Sequence, residues 1–256
     1  MGNTQDALKI KHLFGLLGKD IDYSFSRNYF SKKFEQEDLL DHAYVNFDIA
    51  TVDHLNNILE THANLKGINV TIPYKQAVIP YLDKLHKTAK KIGAVNTIRI
   101  SKKGKLIGYN TDGFGFKKAL KPHLKRHHKR ALILGTGGAS KAIAYTLKQL
   151  DITYAFVSRS ASKNVQFTYD TLSEDILSKY TIIINCTPLG TFPNIDEAPK
   201  IPYQAISSKH LFFDLIYNPV ETRFLKLGKQ HGAATCNGLE MLIQQADKAW
   251  KIWSTS

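Results

Sequence analysis

The stretch Ala131-Leu-Ile-Leu134-Gly135-Thr-Gly137-Gly138-Ala139-Ser140 constrains the chain more than any other. Residues 131–134 are all apolar and predict a buried strand. The glycines predict a tight turn. Residues 139–150 then predict a helix, with Ala142, Ile143, Ala144 and Leu147 available for packing. A strand that enters a glycine turn and opens a helix is the start of a βαβ unit that cradles a dinucleotide. Gly135 permits the turn, and Gly137 lets the backbone approach a pyrophosphate. Gly138 or Ala139 lets helix and strand pack closely. The helix N-terminus turns free N–H groups toward the phosphates.

The rest of the chain alternates in the same way, which argues for an α/β class with parallel sheet. Strands are predicted at 13–17, 43–49, 68–72, 153–157, 181–185 and 211–214. Helices are predicted at 24–36, 51–64 (with Thr51 as N-cap), 112–121, 220–230 and 238–253. Pro73 suits the first turn of a further helix that would carry Lys75. Ser101-Lys-Lys-Gly104 between two short apolar runs predicts a hairpin. No linker or repeat divides the chain. A boundary near residue 110 follows from the onset of the nucleotide-binding pattern.

The end of the strand at 153–157 discriminates between cofactors. An NAD site places an acid there for the ribose 2′-hydroxyl. Here the chain reads Val157-Ser158-Arg159-Ser160, and a guanidinium fork suits a 2′-phosphate. The expectation is NADP.

With 256 residues and 43% hydrophobic content, the chain has material for a sizeable core. No apolar run reaches the ~20 residues of a membrane helix, and residues 1–12 lack a secretory h-region. Cys186 and Cys236 make no disulfide framework, and no CxxC or His/Cys cluster suggests zinc. The expectations are a cytoplasmic protein with no metal and no membrane partner. The net charge of +13 raises nucleic acid as a partner. Its densest run, Lys125-Arg126-His127-His128-Lys129-Arg130, lacks interleaved aromatics and reads as a solvated linker, so no nucleic-acid partner is expected. The positive field suits a carboxylate substrate and a phosphate-rich cofactor.

Two polar motifs precede the glycine turn: Asn69-Val-Thr71-Ile-Pro73-Tyr-Lys75 and Gly108-Tyr-Asn110-Thr111-Asp112-Gly113. Taken singly, Lys75 is a surface lysine and Asp112 a helix N-cap. A Lys near the positive end of a helix is electrostatically misplaced, which points to function. With Asn69, Thr71, Asn96 and Thr97, the two motifs line strand ends with hydrogen-bonding groups. A polyhydroxylated substrate needs such a lining.

Together these motifs resemble the shikimate dehydrogenase family, NADP-dependent reductases of 3-dehydroshikimate in aromatic amino-acid and chorismate biosynthesis. The matching segments run in family order: GLLGKDIDYSFS (15–26), NVTIPYK (69–75), GAVNTI (93–98), GYNTDGFGF (108–116), LGTGGASKA (134–142), NCTPLG (185–190), DLIYNP (214–219) and NGLEMLIQQA (237–246). The resemblance implies two domains. Residues 1–110 with 238–256 would form an N-terminal α/β substrate domain. Residues 111–237 would form a Rossmann-type NADP-binding domain, with the last helix returning to the first domain.

The resemblance also implies roles. Lys75 matches the catalytic lysine and Asp112 its partner. Ser24 and Ser26 match the serines that hold the substrate carboxylate. Asn69, Thr71, Asn96, Tyr217 and Gln245 match substrate-side residues. Gly135, Gly137, Gly138 and Ala139 match the pyrophosphate loop, and Ser158 and Arg159 the 2′-phosphate clamp. Thr187, Leu189, Ile216 and Gly238 fall where the family lines the channel from adenosine to nicotinamide. A monomer or homodimer is expected.

The chain departs from the family pattern at Tyr23, Arg27, Phe30, Ser31, Ser158 and Glu240. These departures bear on substrate affinity and cofactor stringency more than on reaction class. The runner-up is a quinate or broad quinate/shikimate dehydrogenase, with NAD use. A non-catalytic ligand sensor on the same fold is the alternative from another class.

Overall fold

The computed structural model of the chain describes residues 10–21 and 24–255. The chain divides into two compact units. One comprises the chain up to Asn110 together with Ala249 onward, and the other is Thr111–Lys248. The division falls inside the last helix.

In the first unit the strands are β1 (His12–Gly18), β2 (His42–Asp48), β3 (Leu65–Val70), β4 (Lys84–Leu85), β5 (Thr97–Ile100) and β6 (Leu106–Tyr109). They form one sheet in the order β2-β1-β3-β5-β6-β4. β1 lies parallel to both β2 and β3, whereas β5 runs antiparallel to β3 and to β6. The helices are α1 (Phe25–Gln36), α2 (Leu55–Thr61) and α3 (Lys87–Ile92). Almost all of β1 is buried, as its run of Leu, Phe and Gly requires of a strand covered on both faces. One face packs Leu17, Leu55, Ile68, Val78, Val95 and Ile98 into a core. The other carries aromatic rings. Phe14 stacks on Trp253 at 5.0 Å, Phe30 stacks on Tyr44 at 4.6 Å, and the Trp253 indole donates to the Ile98 carbonyl at 2.9 Å.

In the second unit the strands are β7 (Arg130–Leu134), β8 (Thr153–Ser158), β9 (Phe167–Thr168), β10 (Ile182–Asn185), β11 (Leu211–Asp214) and β12 (Ala234–Cys236). The sheet order is β12-β11-β10-β7-β8-β9, and every pairing is parallel. The helices are α4 (Asp112–Leu120), α5 (Gly138–Gln149), α6 (Glu174–Lys179), α7 (Arg223–Gln230) and α8 (Leu239–Ser254). β10 and β11 are buried throughout, in keeping with their unbroken Ile and Phe runs. α5 buries Ala142, Ile143, Ala144 and Leu147. It stops where Asp151 takes a left-handed φ of 55°. The strand order reverses at β7, between β10 and β8. In open parallel sheets that crevice is the ligand site.

Four expectations are corrected. No α-helix follows Pro73: residues 72–78 form successive turns and a short 3-10 turn follows at Ile79–Tyr81. Lys75 therefore sits on a turn-rich loop, and the helix-dipole argument for it does not apply. Thr51 stands at the N-cap of a 3-10 turn, Val52–His54, rather than of α2, and its side chain makes no cap bond; its hydroxyl lies 3.4 Å from His54 Nδ1. The N-cap of α4 is Thr111, which leaves Asp112 as the first helical residue. The basic run at 125–130 is not a solvated linker throughout. His128 is only 4% exposed, its Nδ1 accepts from the Lys125 N–H at 2.9 Å, and its Nε2 lies 3.2 Å from the Lys209 carbonyl.

Candidate functional site

In the first unit the polar residues gather past the C-terminal ends of β1 and β3. Ser24 is the N-cap of α1, yet its hydroxyl makes no cap bond. Among the described residues its Oγ is buried without a partner. Ser26, in the first turn of α1, hydrogen-bonds Tyr44. The Tyr44 hydroxyl in turn donates to Asn69 Oδ1 at 2.9 Å. Burial pushes that phenol far up, and the Ser26 bond opposes the shift; Tyr44 is a neutral donor.

Asn69 Nδ2 donates to the Asn96 carbonyl at 3.3 Å and to Thr97 Oγ1 at 3.2 Å. Thr97 Oγ1 donates to Asn96 Oδ1 at 3.2 Å. Ser26, Asn69 and Asn96 thus belong to one network. Two backbone bonds bring the loop of Lys75 to it. The Val95 N–H donates to the Lys75 carbonyl at 2.7 Å, and the Thr71 N–H donates to the Leu17 carbonyl at 2.9 Å. Lys75 and Thr71 are half-buried.

The family departures have visible settings. Phe30 is fully buried against Tyr44, so it is core, while Arg27 and Ser31 are exposed on α1. Tyr23 lies outside the described residues.

In the second unit Asp112 is 1% exposed at the start of α4. Thr146 Oγ1 on α5 donates to the Gly113 carbonyl at 3.2 Å. Gly115 lies so close to α8 that a Cβ there would overlap the Met241 carbonyl and come within 3.2 Å of the Gln245 Cβ. That approach sets Gln245 beside the first turn of α4. Tyr217, half-buried, lies just past β11.

The loops at the switch point abut one another. Gly135 has φ 101°, a conformation that favours glycine, and a Cβ on it would stand 3.2 Å from the Cys186 carbonyl. Gly137, the N-cap of α5, faces open space: nothing among the described residues lies within 4 Å of where its Cβ would be. A turn that crowds the sheet at one glycine and is open at the next, at a helix N-terminus, fits a pyrophosphate. Ala139 opens the same helix one residue after Gly138. Ser158 ends β8, Arg159 is exposed beyond it, and no acid stands there. These features fit a dinucleotide carrying a 2′-phosphate.

Sequence reasoning missed the buried polar pair that shapes the remaining loops. Asn185 Nδ2 donates to Asp214 Oδ1 at 3.1 Å, and its Oδ1 accepts from the Thr187 N–H at 3.0 Å and the Thr187 hydroxyl at 2.6 Å. The Leu189 N–H donates to Thr187 Oγ1 at 3.3 Å. Asp214 accepts from the Ile216 N–H at 3.0 Å and from the Thr222 hydroxyl at 2.6 Å. The Gly238 N–H donates to the Ile216 carbonyl at 3.0 Å. So Thr187, Leu189, Ile216 and Gly238 are all set by one Asn–Asp pair. Burial pushes the Asp214 carboxyl up to about 6, against the pull of those hydrogen bonds. Burial, then the Asp214 charge, pushes the Cys186 thiol far up, so it stays protonated. Polar residues ending buried strands were the available signal for Asn185 and Asp214. Tyr44 gave none, because its hydroxyl does not show in an alternating strand.

A doubly wound sheet with a glycine turn at its switch point, beside a second α/β unit with Ser, Asn and Thr at strand ends, defines an α/β protein of the dinucleotide-binding class. Comparison with known proteins narrows the class. The shikimate dehydrogenase substrate binding domain family matches residues 16–98. The shikimate dehydrogenase (NADP(+)) of Methanosphaera stadtmanae is 38% identical, over 94% of this chain and 90% of its own. A shikimate dehydrogenase crystallised in complex with NADP+ superposes with TM-score 0.83 at 36% identity, over 96% of this chain and 91% of that one. The shikimate 5-dehydrogenase of Thermus thermophilus, crystallised with NADP(H) and shikimate, gives TM-score 0.84 at 28% identity, over 96% of this chain and 94% of that one. The chain belongs to the shikimate dehydrogenase family.

Proposed function

We infer that the chain is an NADP-dependent oxidoreductase that reversibly reduces 3-dehydroshikimate to shikimate, the shikimate dehydrogenase (NADP+) step of chorismate and aromatic amino-acid biosynthesis. The observation that carries this is 38% identity to a relative of that name across 94% of the chain, with Lys75 and Asp112 both present in their motifs.

The residues divide the work. The α5 N-terminus with Gly135, Gly137, Gly138 and Ala139 would hold the pyrophosphate, and Ser158 and Arg159 the 2′-phosphate. Thr187, Leu189, Ile216 and Gly238 would line the path to the nicotinamide. Bound NADPH supplies the hydride that turns a ring carbonyl into an alcohol. Ser24 and Ser26 would take the substrate carboxylate, consistent with the unpartnered Ser24 hydroxyl. Asn69, Thr71, Asn96, Tyr217 and Gln245 would take ring oxygens. We assign Lys75 to donate the proton to the oxygen that gains negative charge and to stabilise that charge, with Asp112 as its partner in proton transfer. Their titrations would be coupled.

We also propose a cytoplasmic monomer or homodimer whose partners are small molecules, without nucleic acid or membrane. No helix among the described residues is long and apolar enough to cross a membrane.

The test is absorbance at the reduced-nicotinamide band with shikimate and NADP, run beside quinate and NAD. NADP reduction with shikimate is the expected result. Equal turnover with quinate or NAD would favour the broader dehydrogenase. A folded protein that binds NADPH and turns over nothing would overturn the enzyme reading and favour a sensor.

A further inference from the structure

At the opposite end of the first sheet, away from the candidate substrate residues, strand register assembles a group the sequence does not show. β1 and β2 pair in parallel with His12 opposite His42. Asp41 directly precedes His42, and its carbonyl accepts the N–H groups of both Lys11 and His12, at 3.0 and 3.1 Å. The three side chains converge. His42 Nδ1 lies 2.8 Å from Asp41 Oδ1, His12 Nε2 lies 4.0 Å from Asp41 Oδ2, and the imidazole centroids are 4.5 Å apart. One donor atom from each residue falls within a 4.8 Å span.

We propose that His12, Asp41 and His42 bind one divalent transition-metal cation of the zinc type. Two imidazoles and a carboxylate are the donor set that such borderline cations favour over Mg2+ or Ca2+. Around tetrahedral zinc, with bonds of about 2.0–2.2 Å, donor atoms stand roughly 3.5 Å apart. Closing the span takes a shift of about an ångström. His12, whose side chain is 41% exposed, is free to make that shift by rotating about its side-chain bonds. The Asp41 backbone is held by the bonds to its carbonyl, and its carboxylate must turn to open the 2.8 Å separation from His42 Nδ1 for the cation. The His42 ring is held among Phe14, Phe34 and Trp250, at centroid distances of 6.0, 5.5 and 5.9 Å. Such outer packing orients a ligating imidazole before the metal arrives.

The opposing groups are Lys66, whose charge also bears on His12, and Lys11, whose ammonium lies 3.9 Å from Asp41 Oδ2. It is 71% exposed and can move into solvent as the cation takes its place. Water would complete the coordination. The ion would clip the N-terminal end of β2 to β1, so its effect is on stability rather than turnover.

The experiment uses the full chain, without a polyhistidine tag, in metal-free buffer. Isothermal titration with Zn2+ should give one site per chain, and Tm should rise with Zn2+ concentration. Co2+ should produce a visible absorption band that Zn2+ abolishes. His12→Gln and Asp41→Asn remove one donor each from partly exposed positions, so the fold is kept and far-UV CD should be unchanged. Each should weaken Zn2+ binding by about tenfold or more, since even the loss of a group that only orients a ligand costs that much. Shikimate turnover should be unchanged in both. Failure of the wild-type chain to take up Zn2+, or equal binding by both variants, would overturn the proposal. In that event Asp41 only orients His42.

Discussion

Asp214→Asn tests whether a buried carboxylate holds the loops past β10 and β11 at a cost to stability. Asp214 has no exposed surface, and its carboxyl is pushed from 3.8 to about 6 by burial. That rise, at roughly 1.4 kcal/mol per pH unit, amounts to about 3 kcal/mol. The sign follows from proton counting. Between the two pKa values the folded chain keeps a proton that the unfolded chain releases, so this group makes stability fall as pH rises from 3.8 to about 6. The full penalty stands at neutral pH.

Asparagine cannot ionise. Its carbonyl can still accept from the Ile216 N–H and the Asn185 amide, and its amide can donate to the Thr222 oxygen. The absolute effect of the exchange is a constant. The stability of the variant minus that of wild type should therefore grow in the variant's favour by about 2 kcal/mol between about pH 4 and pH 7, out of about 3 kcal/mol over the whole titration. Urea unfolding followed by far-UV CD measures this; both tryptophans, Trp250 and Trp253, belong to the first unit and would report on it alone. Carbon-detected NMR of the Asp214 carboxyl gives the midpoint directly. A pH-independent difference, or a midpoint below 3.8, would refute the reasoning and mean that the hydrogen bonds outweigh burial.

Lys75→Ala should lower kcat by about a hundredfold or more in a folded protein, the usual worth of a placed proton donor; near-wild-type turnover would end the assignment. Arg159→Ala should raise the KM for NADPH about tenfold or more while leaving that for NADH nearly unchanged, because charged hydrogen bonds to phosphate contribute about 1.5–3 kcal/mol. Parallel kinetics with the two dinucleotides would detect an equal loss, which would count against the 2′-phosphate role. Gly115→Ala puts a methyl group into the Met241 carbonyl and should cost about 1–3 kcal/mol by overpacking, visible as a lower Tm. Tyr44→Phe removes the donor that orients Asn69; KM for shikimate should rise with stability down by only about 1 kcal/mol, and an unchanged KM would make Tyr44 merely structural.

Local signals carried further for the second unit than for the first, for a physical reason. In the doubly wound unit the central strands β7, β10 and β11 are buried almost throughout and α5 follows β7 directly, so apolar runs and the glycine turn announce these elements directly. Leu211–Asp214 shows it: LFFD is too apolar to lie at an edge, and the strand occupies those residues. The first unit mixes parallel and antiparallel strands, and its short elements depend on partners distant in the chain. β4 is two residues long and exists through pairing with β6. The loop of Lys75 looked helical from Pro73 onward, but its Lys75 carbonyl is taken by the Val95 N–H, a bond that no local pattern reveals.

The site follows the same division. Motif positions were legible because they are chemical residues at strand ends. What holds them was not, because Tyr44 reaches Asn69 and Asn185 reaches Asp214 across strands brought together only by register and topology. The His12–Asp41–His42 group is the extreme case. Its ligand pattern exists only once β1 and β2 are aligned, so searching the sequence for metal spacings had to pass over it. Register is the level at which further chemistry in this fold should be sought.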